Sequence, residues 1–171
     1  MSQNTLSLPH DVCQLLQTYY TCEMTTVNRV GQPITWPCLA YFHAETGHII
    51  VTASIAFRVK ALNARRHPQV SLLYSDPSGS GLSTPPALLV QGIAHVQELV
   101  DYTDPEIIGL FRVIQERQPA SKKFSTRLMR RMFTWYLYQR FVMIITPERI
   151  RLWPQGGFHA EATEIEVTHV E

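Results

Sequence analysis

The sequence predicts a mainly β chain with added α: six or seven antiparallel strands closed into a narrow barrel, with an N-terminal helix, one short crossover helix and an inserted helical pair. Three observations point there. Short apolar or aromatic runs, bounded by turn residues, recur through residues 23–99 and return at 141–153. Helical spacing is confined to the start of the chain, to 56–66 and to 104–139. Gly92 stands inside a long apolar run, where a barrel strand bends or bulges. Closing such a sheet removes its exposed edges. A barrel this small is filled by its own side chains, so a sizeable ligand is expected outside it, in a groove between subunits.

The elements follow in order. Val12, Leu15, Leu16 and Tyr19 recur on one helical face, with Ser7 and Pro9 marking the start. A strand over 23–28 leads into the turn Arg29-Val30-Gly31-Gln32-Pro33, and a long aromatic strand over 34–42 follows. Ala44-Glu45-Thr46-Gly47 is a hairpin turn into a strand over 48–52. A helix over 56–66 stops before Pro68, because the residue before proline disfavours helical backbone. Strands over 70–74 and 87–99 flank a Gly, Ser and Pro loop at 76–86. Two helices, over 105–117 and 122–138, break near Pro119, and strands at 141–146 and 149–153 are joined by a Pro147-Glu148 turn.

At 171 residues the chain is read as one domain over 1–171, with the helical insertion at about 104–139. A net charge of +1 removes any bulk electrostatic case for nucleic acid or a membrane surface. No run is long enough to cross a bilayer, and the N-terminus lacks a basic region followed by an apolar one. Cys13, Cys22 and Cys38 are odd in number and lack C-x-x-C spacing, as expected of reduced thiols in a cytoplasmic protein. His43, His48, His159 and His169 show no metal-ligand spacing, so no metal site is expected.

Several motifs agree in order with a known family. They are Leu8-Pro9-x-x-Val12-x-x-Leu15-Leu16, then Thr25-Thr26-Val27 followed by Gly31-Gln32-Pro33. Next come Lys60-Ala61-Leu62-Asn63-Ala64-Arg65-Arg66-His67-Pro68-Gln69-Val70-Ser71-Leu72-Leu73 and Val90-Gln91-Gly92-x-Ala94. The last is Pro147-x-Arg149-Ile150-x-Leu152-Trp153. Their collinearity resembles the pyridoxamine 5′-phosphate oxidase-like, FMN-binding split-barrel family, over about residues 8–100 and 141–155. The inserted helices are not part of that pattern.

The resemblance implies a homodimer that holds FMN at the subunit interface and acts as an oxidoreductase on a small molecule. It puts Lys60 at the family's phosphate-binding lysine, with Arg58 two residues earlier. In extended backbone before a helix the two side chains would converge, whereas inside a helix they would point apart. Without the resemblance, both would be ordinary solvated charges. Many relatives carry Ser-Arg-Lys where this chain has Arg58-Val59-Lys60. The resemblance also implies that backbone groups at Pro37, Cys38, Leu39 and Ala40, and at Val51, Thr52 and Ala53, meet the flavin's polar edge. Trp36 either stacks near the ring or fills the core; Thr52 and Ser54 either donate to phosphate and ribityl oxygens or merely end a strand. Trp153 either covers the flavin from the partner subunit or plugs the barrel's open end.

No catalytic acid or base is named, because hydride chemistry belongs to the flavin. The arginine-rich C-terminus of the vitamin B6 phosphate oxidase is absent from Ala162-Thr163-Glu164-Ile165-Glu166-Val167, so that activity is not expected. A deazaflavin coenzyme is the alternative, with Arg65, Arg66 and the inserted Arg127, Arg130 and Arg131 as a basic track for its anionic tail. A non-catalytic flavin-binding or sensing protein is the other.

Overall fold

A computed structural model describes residues 5–19, 21–76, 78, 80–82, 86–98, 104–117, 140–154 and 158–170. The second inserted helix, over 122–138, and its arginines lie outside the described residues. In chain order the elements are β1 (Thr5–Ser7), α1 (His10–Thr18), β2 (Cys22–Val27), β3 (Pro33–Cys38), β4 (Ala40–His43) and β5 (His48–Ser54). A 3-10 turn (Ile55–Phe57), α2 (Val59–Arg66), β6 (Gln69–Tyr74), β7 (Ala87–Gln97) and α3 (Pro105–Arg117) follow. The chain closes with β8 (Arg140–Trp153), β9 (Thr163–Ile165) and β10 (Thr168–Val170).

An antiparallel path, β3-β2-β6-β7-β8-β5-β4, makes the barrel wall, β9 adds to β8, and β1 pairs with β10 separately. The barrel sequence expected here is present, with seven strands on the path. Its closure rests on a feature not expected. The anticipated strand over 34–42 is broken at Leu39: β3 pairs with β2, whereas β4 pairs with β5 at the other end of the path. The cause is local. β2 begins at Cys22, which already pairs with Cys38, so the chain beyond Cys38 has no partner on that side and crosses to β5. One residue thus joins the two ends of the sheet.

The closing strands also differ. Residues 140–153 form one strand, β8, rather than two joined by a turn. Pro147 lies opposite Gly92 and Arg149 opposite Gln91, so Glu148 is the extra residue of a bulge. Gly92 permits it: a Cβ there would lie 2.2 Å from the Thr146 carbonyl oxygen. β9, β10 and β1 were not anticipated, because three-residue strands leave no readable alternation.

Side chains divide by face. Val12 and Leu16 of α1 join Met24, Val51, Ala53, Leu72, Val90 and Ile145 in the barrel interior. Outside the wall, α3 packs Ile107 and Leu110 onto Ile50 and Val142. Both α3 residues are fully buried, and truncating either to alanine costs about 2–5 kcal/mol. Gly109 lets that helix approach, since a Cβ there would meet the Tyr41 hydroxyl at 2.4 Å.

Candidate functional site

β5 extends two residues beyond the strand expected over 48–52, and that extension builds the site. Val51 and Ala53 turn into the core, so Thr52 and Ser54 lie on the opposite face by strand alternation. Beyond Val51 no described strand pairs with β5 on the β4 side, while β8 continues beside it and sets Arg140 directly opposite Ser54. Arg140 Nη1 donates to Thr52 Oγ1 at 3.3 Å. Ser54 Oγ and Arg140 Nε are both buried and make no hydrogen bond among the described residues. Ser54 is 8% exposed, so water does not compensate its hydroxyl freely.

Two buried polar atoms on register-paired residues, one carried by a guanidinium, have no partner among the described residues and are free to bond an anion. Arginine offers a planar fork of donors and a hydroxyl adds another, which is the donor set a phosphate takes. The residues present therefore fit the phosphate of a flavin nucleotide. Arg140 was not singled out in the sequence. It reaches the site only through the β5–β8 register, and nothing in its own neighbourhood signals it.

The other expected residues are placed as follows. Lys60 is the second residue of α2 and half-buried, close enough for its charge to act on the Cys22 and Cys38 thiols. Arg58 is exposed and its backbone is helical (φ −71, ψ −7), with its carbonyl accepting the Leu62 N–H at 3.0 Å. The extended approach that would make Arg58 and Lys60 converge is therefore corrected. The 3-10 turn runs straight into α2, and successive helical positions diverge. Trp36 is 43% exposed on β3 and is not a core residue. Pro37 is exposed, Leu39 half-buried, and Cys38 turns inward, with its Sγ 3.5 Å from that of Cys22. Trp153 ends β8 with its ring edge-on to Phe158, centroids 5.2 Å apart.

A second polar cluster sits at the start of β5. Glu106 of α3 accepts from Thr46 Oγ1 at 2.6 Å and lies 2.8 Å from His48 Nδ1, with His43 Nδ1 at 3.8 Å. Burial pushes its carboxyl up, but the hydrogen bonds from His48 and Thr46 and the nearby imidazoles outweigh that and hold it below the ordinary carboxylate value. The histidines thus anchor α3 to the hairpin. Among the described residues no group of three or more His, Cys, Asp or Glu is arranged to hold a metal ion, and no helix is long and apolar enough to cross a membrane.

No protein-family model and no curated protein matches the chain. Solved structures do. A conserved hypothetical protein from Mycobacterium tuberculosis is 20% identical with a TM-score of 0.60, covering 94% of each chain. A pyridoxamine 5′-phosphate oxidase-related, FMN-binding protein from Nostoc punctiforme is 12% identical with a TM-score of 0.59, over 96% of this chain and 99% of that one. An F420 reductase is 17% identical with a TM-score of 0.57, over 84% of this chain and 98% of that one. At these identities the likeness is one of fold: the chain has the split-barrel architecture of the FMN-binding protein and the F420 reductase.

Proposed function

We propose that the chain is a flavoprotein that holds FMN by its phosphate at Thr52, Ser54 and Arg140, works as a homodimer, and serves as an oxidoreductase for a small molecule. The observation that carries this reading is the pair of buried, unsatisfied atoms Ser54 Oγ and Arg140 Nε. Leaving them so costs free energy that a bound phosphate returns. Bound FMN supplies hydride or electron transfer at its ring. The chain's part is to bind and orient it: Arg140 neutralises phosphate charge, and Thr52 and Ser54 direct hydroxyls at its oxygens. Lys60 adds a positive charge from the helix that packs beside β8.

The dimer is supported by exposed apolar side chains. Phe57 is 72% exposed, Val59 52% and Trp36 43%, large apolar side chains that a second copy would cover. A cytoplasmic location suits its free thiols. A deazaflavin coenzyme is the second reading, favoured by Arg65 and Arg66 in the last turn of α2 and by the F420 reductase likeness.

The test is to purify the protein, record its visible spectrum, and identify by mass spectrometry the molecule released on denaturation. FMN supports the first reading and a deazaflavin the second. Apoprotein that fails to bind either on titration overturns both. Turnover of reduced nicotinamide with an artificial acceptor separates an enzyme from a carrier or sensor.

A further inference from the structure

Cys22 opens β2 and Cys38 closes β3, and the two are register partners in the antiparallel ladder. Residues so paired have Cα atoms about 4.5 or 5.5 Å apart, and both values fall inside the range a disulfide spans. Their Sγ atoms are 3.5 Å apart as free thiols. A disulfide bond is about 2.05 Å long, so closure takes a shift of about 1.5 Å shared between two side chains. The backbone need not move.

We propose that Cys22 and Cys38 are a peroxide-oxidisable dithiol that closes to a reversible disulfide across the first rung of the β2–β3 ladder. The two sulfurs have different roles. Cys38 is 8% exposed and Cys22 1%, so a small oxidant meets Cys38 first. The hydrogen bond from the Cys22 thiol, helped by the Lys60 charge and the Met24 N–H, brings Cys38 below the ordinary thiol value although burial opposes it. The same pairing, with burial, holds Cys22 well above that value. Cys38 is therefore the attacking thiolate and Cys22 the resolving thiol.

The chemistry balances with hydrogen peroxide as oxidant. Cys38 thiolate attacks one peroxide oxygen, the O–O bond breaks, and the departing hydroxide takes a proton to leave as water, giving Cys38 sulfenic acid. Cys22 Sγ then attacks Cys38 Sγ, the S–O bond breaks, and the hydroxide leaves with the Cys22 proton as a second water. Two thiols and one peroxide become one disulfide and two waters. The disulfide would staple the chain beside Leu39, the single residue between β3 and β4. The third cysteine, Cys13, is a built-in control: it sits apart on α1 with its thiol facing the Leu8 carbonyl at 3.7 Å.

The experiment treats the reduced full chain with hydrogen peroxide, alkylates remaining thiols in denaturant and maps the peptides. The expected result is loss of two hydrogens, a Cys22–Cys38 cross-linked peptide, an alkylated Cys13, and full reversal by dithiothreitol. In Cys22→Ser, dimedone captures a sulfenic acid on Cys38; in Cys38→Ser, Cys22 gives no adduct. The idea is overturned if peroxide leaves both thiols alkylatable, if the cross-link involves Cys13, or if Cys22 takes the dimedone. Wild-type mapping decides the matter should either variant fail to fold.

Discussion

The two ends of β5 carry polar clusters that differ in one respect. At the start, the Glu106 carboxylate is met by Thr46 and His48, and the group is satisfied. At the end, Ser54 Oγ and Arg140 Nε are buried with no hydrogen-bond partner among the described residues. Both clusters join β5 to a distant segment, and both would look alike as scattered polar residues in sequence. A completed network rigidifies what it connects, whereas an incomplete one carries a standing cost unless something outside the chain completes it. The first cluster is mortar for α3. The second is the one proposed above to take an anion.

That contrast can be broken at either end. The largest effect is expected from Arg140→Met, which removes the cationic fork. FMN affinity, measured by equilibrium titration, should fall about 10- to 100-fold, the worth of a hydrogen bond to a charged group. Denaturant unfolding without cofactor should stay near wild type, because among the described residues Thr52 alone accepts a side-chain hydrogen bond from Arg140. A large loss of apoprotein stability with unchanged FMN affinity would reverse the assignment.

Glu106→Ala should do the opposite. It leaves Thr46 and His48 without their acceptor and should cost about 1–3 kcal/mol in denaturant unfolding, with FMN affinity nearly unchanged. The same group predicts a pH signature. Its folded value is depressed, so its stabilisation is fully present above the unfolded carboxyl value of about 4.3 and is lost as pH falls through the folded value. Wild type should therefore lose more stability than Glu106→Gln in that acidic window, and parallel curves would refute the role.

The smallest effect belongs to Ser54→Ala. Deleting a hydroxyl that lacks a partner should leave apoprotein stability within about 0.5 kcal/mol or raise it slightly. FMN affinity should fall by about fivefold, roughly 1 kcal/mol, the net worth of one hydrogen bond. A clear destabilisation without ligand would mean that the hydroxyl has an internal role.

Sequence reading reached the parts of the fold that local pattern encodes. The helix carrying Val12 and Leu16, the hairpin at Gly47 and the bend at Gly92 each have a signature within a few residues. The break at Leu39 does not, because Cys38 and Ala40 continue the inward alternation through it. The bulge at Glu148 was read as a turn because Pro147-Glu148 has turn chemistry, and only the bare backbone at Gly92 reveals why the strand continues. In the candidate site, the sequence leaves Thr52 and Ser54 open between donating to phosphate or ribityl oxygens and merely ending a strand. Arg140 and Glu106 were not legible, since each acquires meaning from a partner far away in the chain. Arg58 was misread for a smaller reason: whether backbone before a helix is extended or already helical is decided by the preceding turn.

The β5–β8 pairing has a consequence for how the molecule assembles. Thr52 and Arg140 are 88 positions apart, whereas the β2–β3 and β4–β5 hairpins close over short spans and pay little loop entropy. Strand registers of this long-range kind form late and slowly. A nascent chain therefore lacks Arg140 beside Thr52 and Ser54 until β8 arrives, and on the proposed reading a phosphate-bearing ligand would recognise only the finished barrel. At one hundred times its dissociation constant, such a ligand would add about 2.7 kcal/mol to the completed state, making cofactor supply a determinant of how much chain accumulates folded.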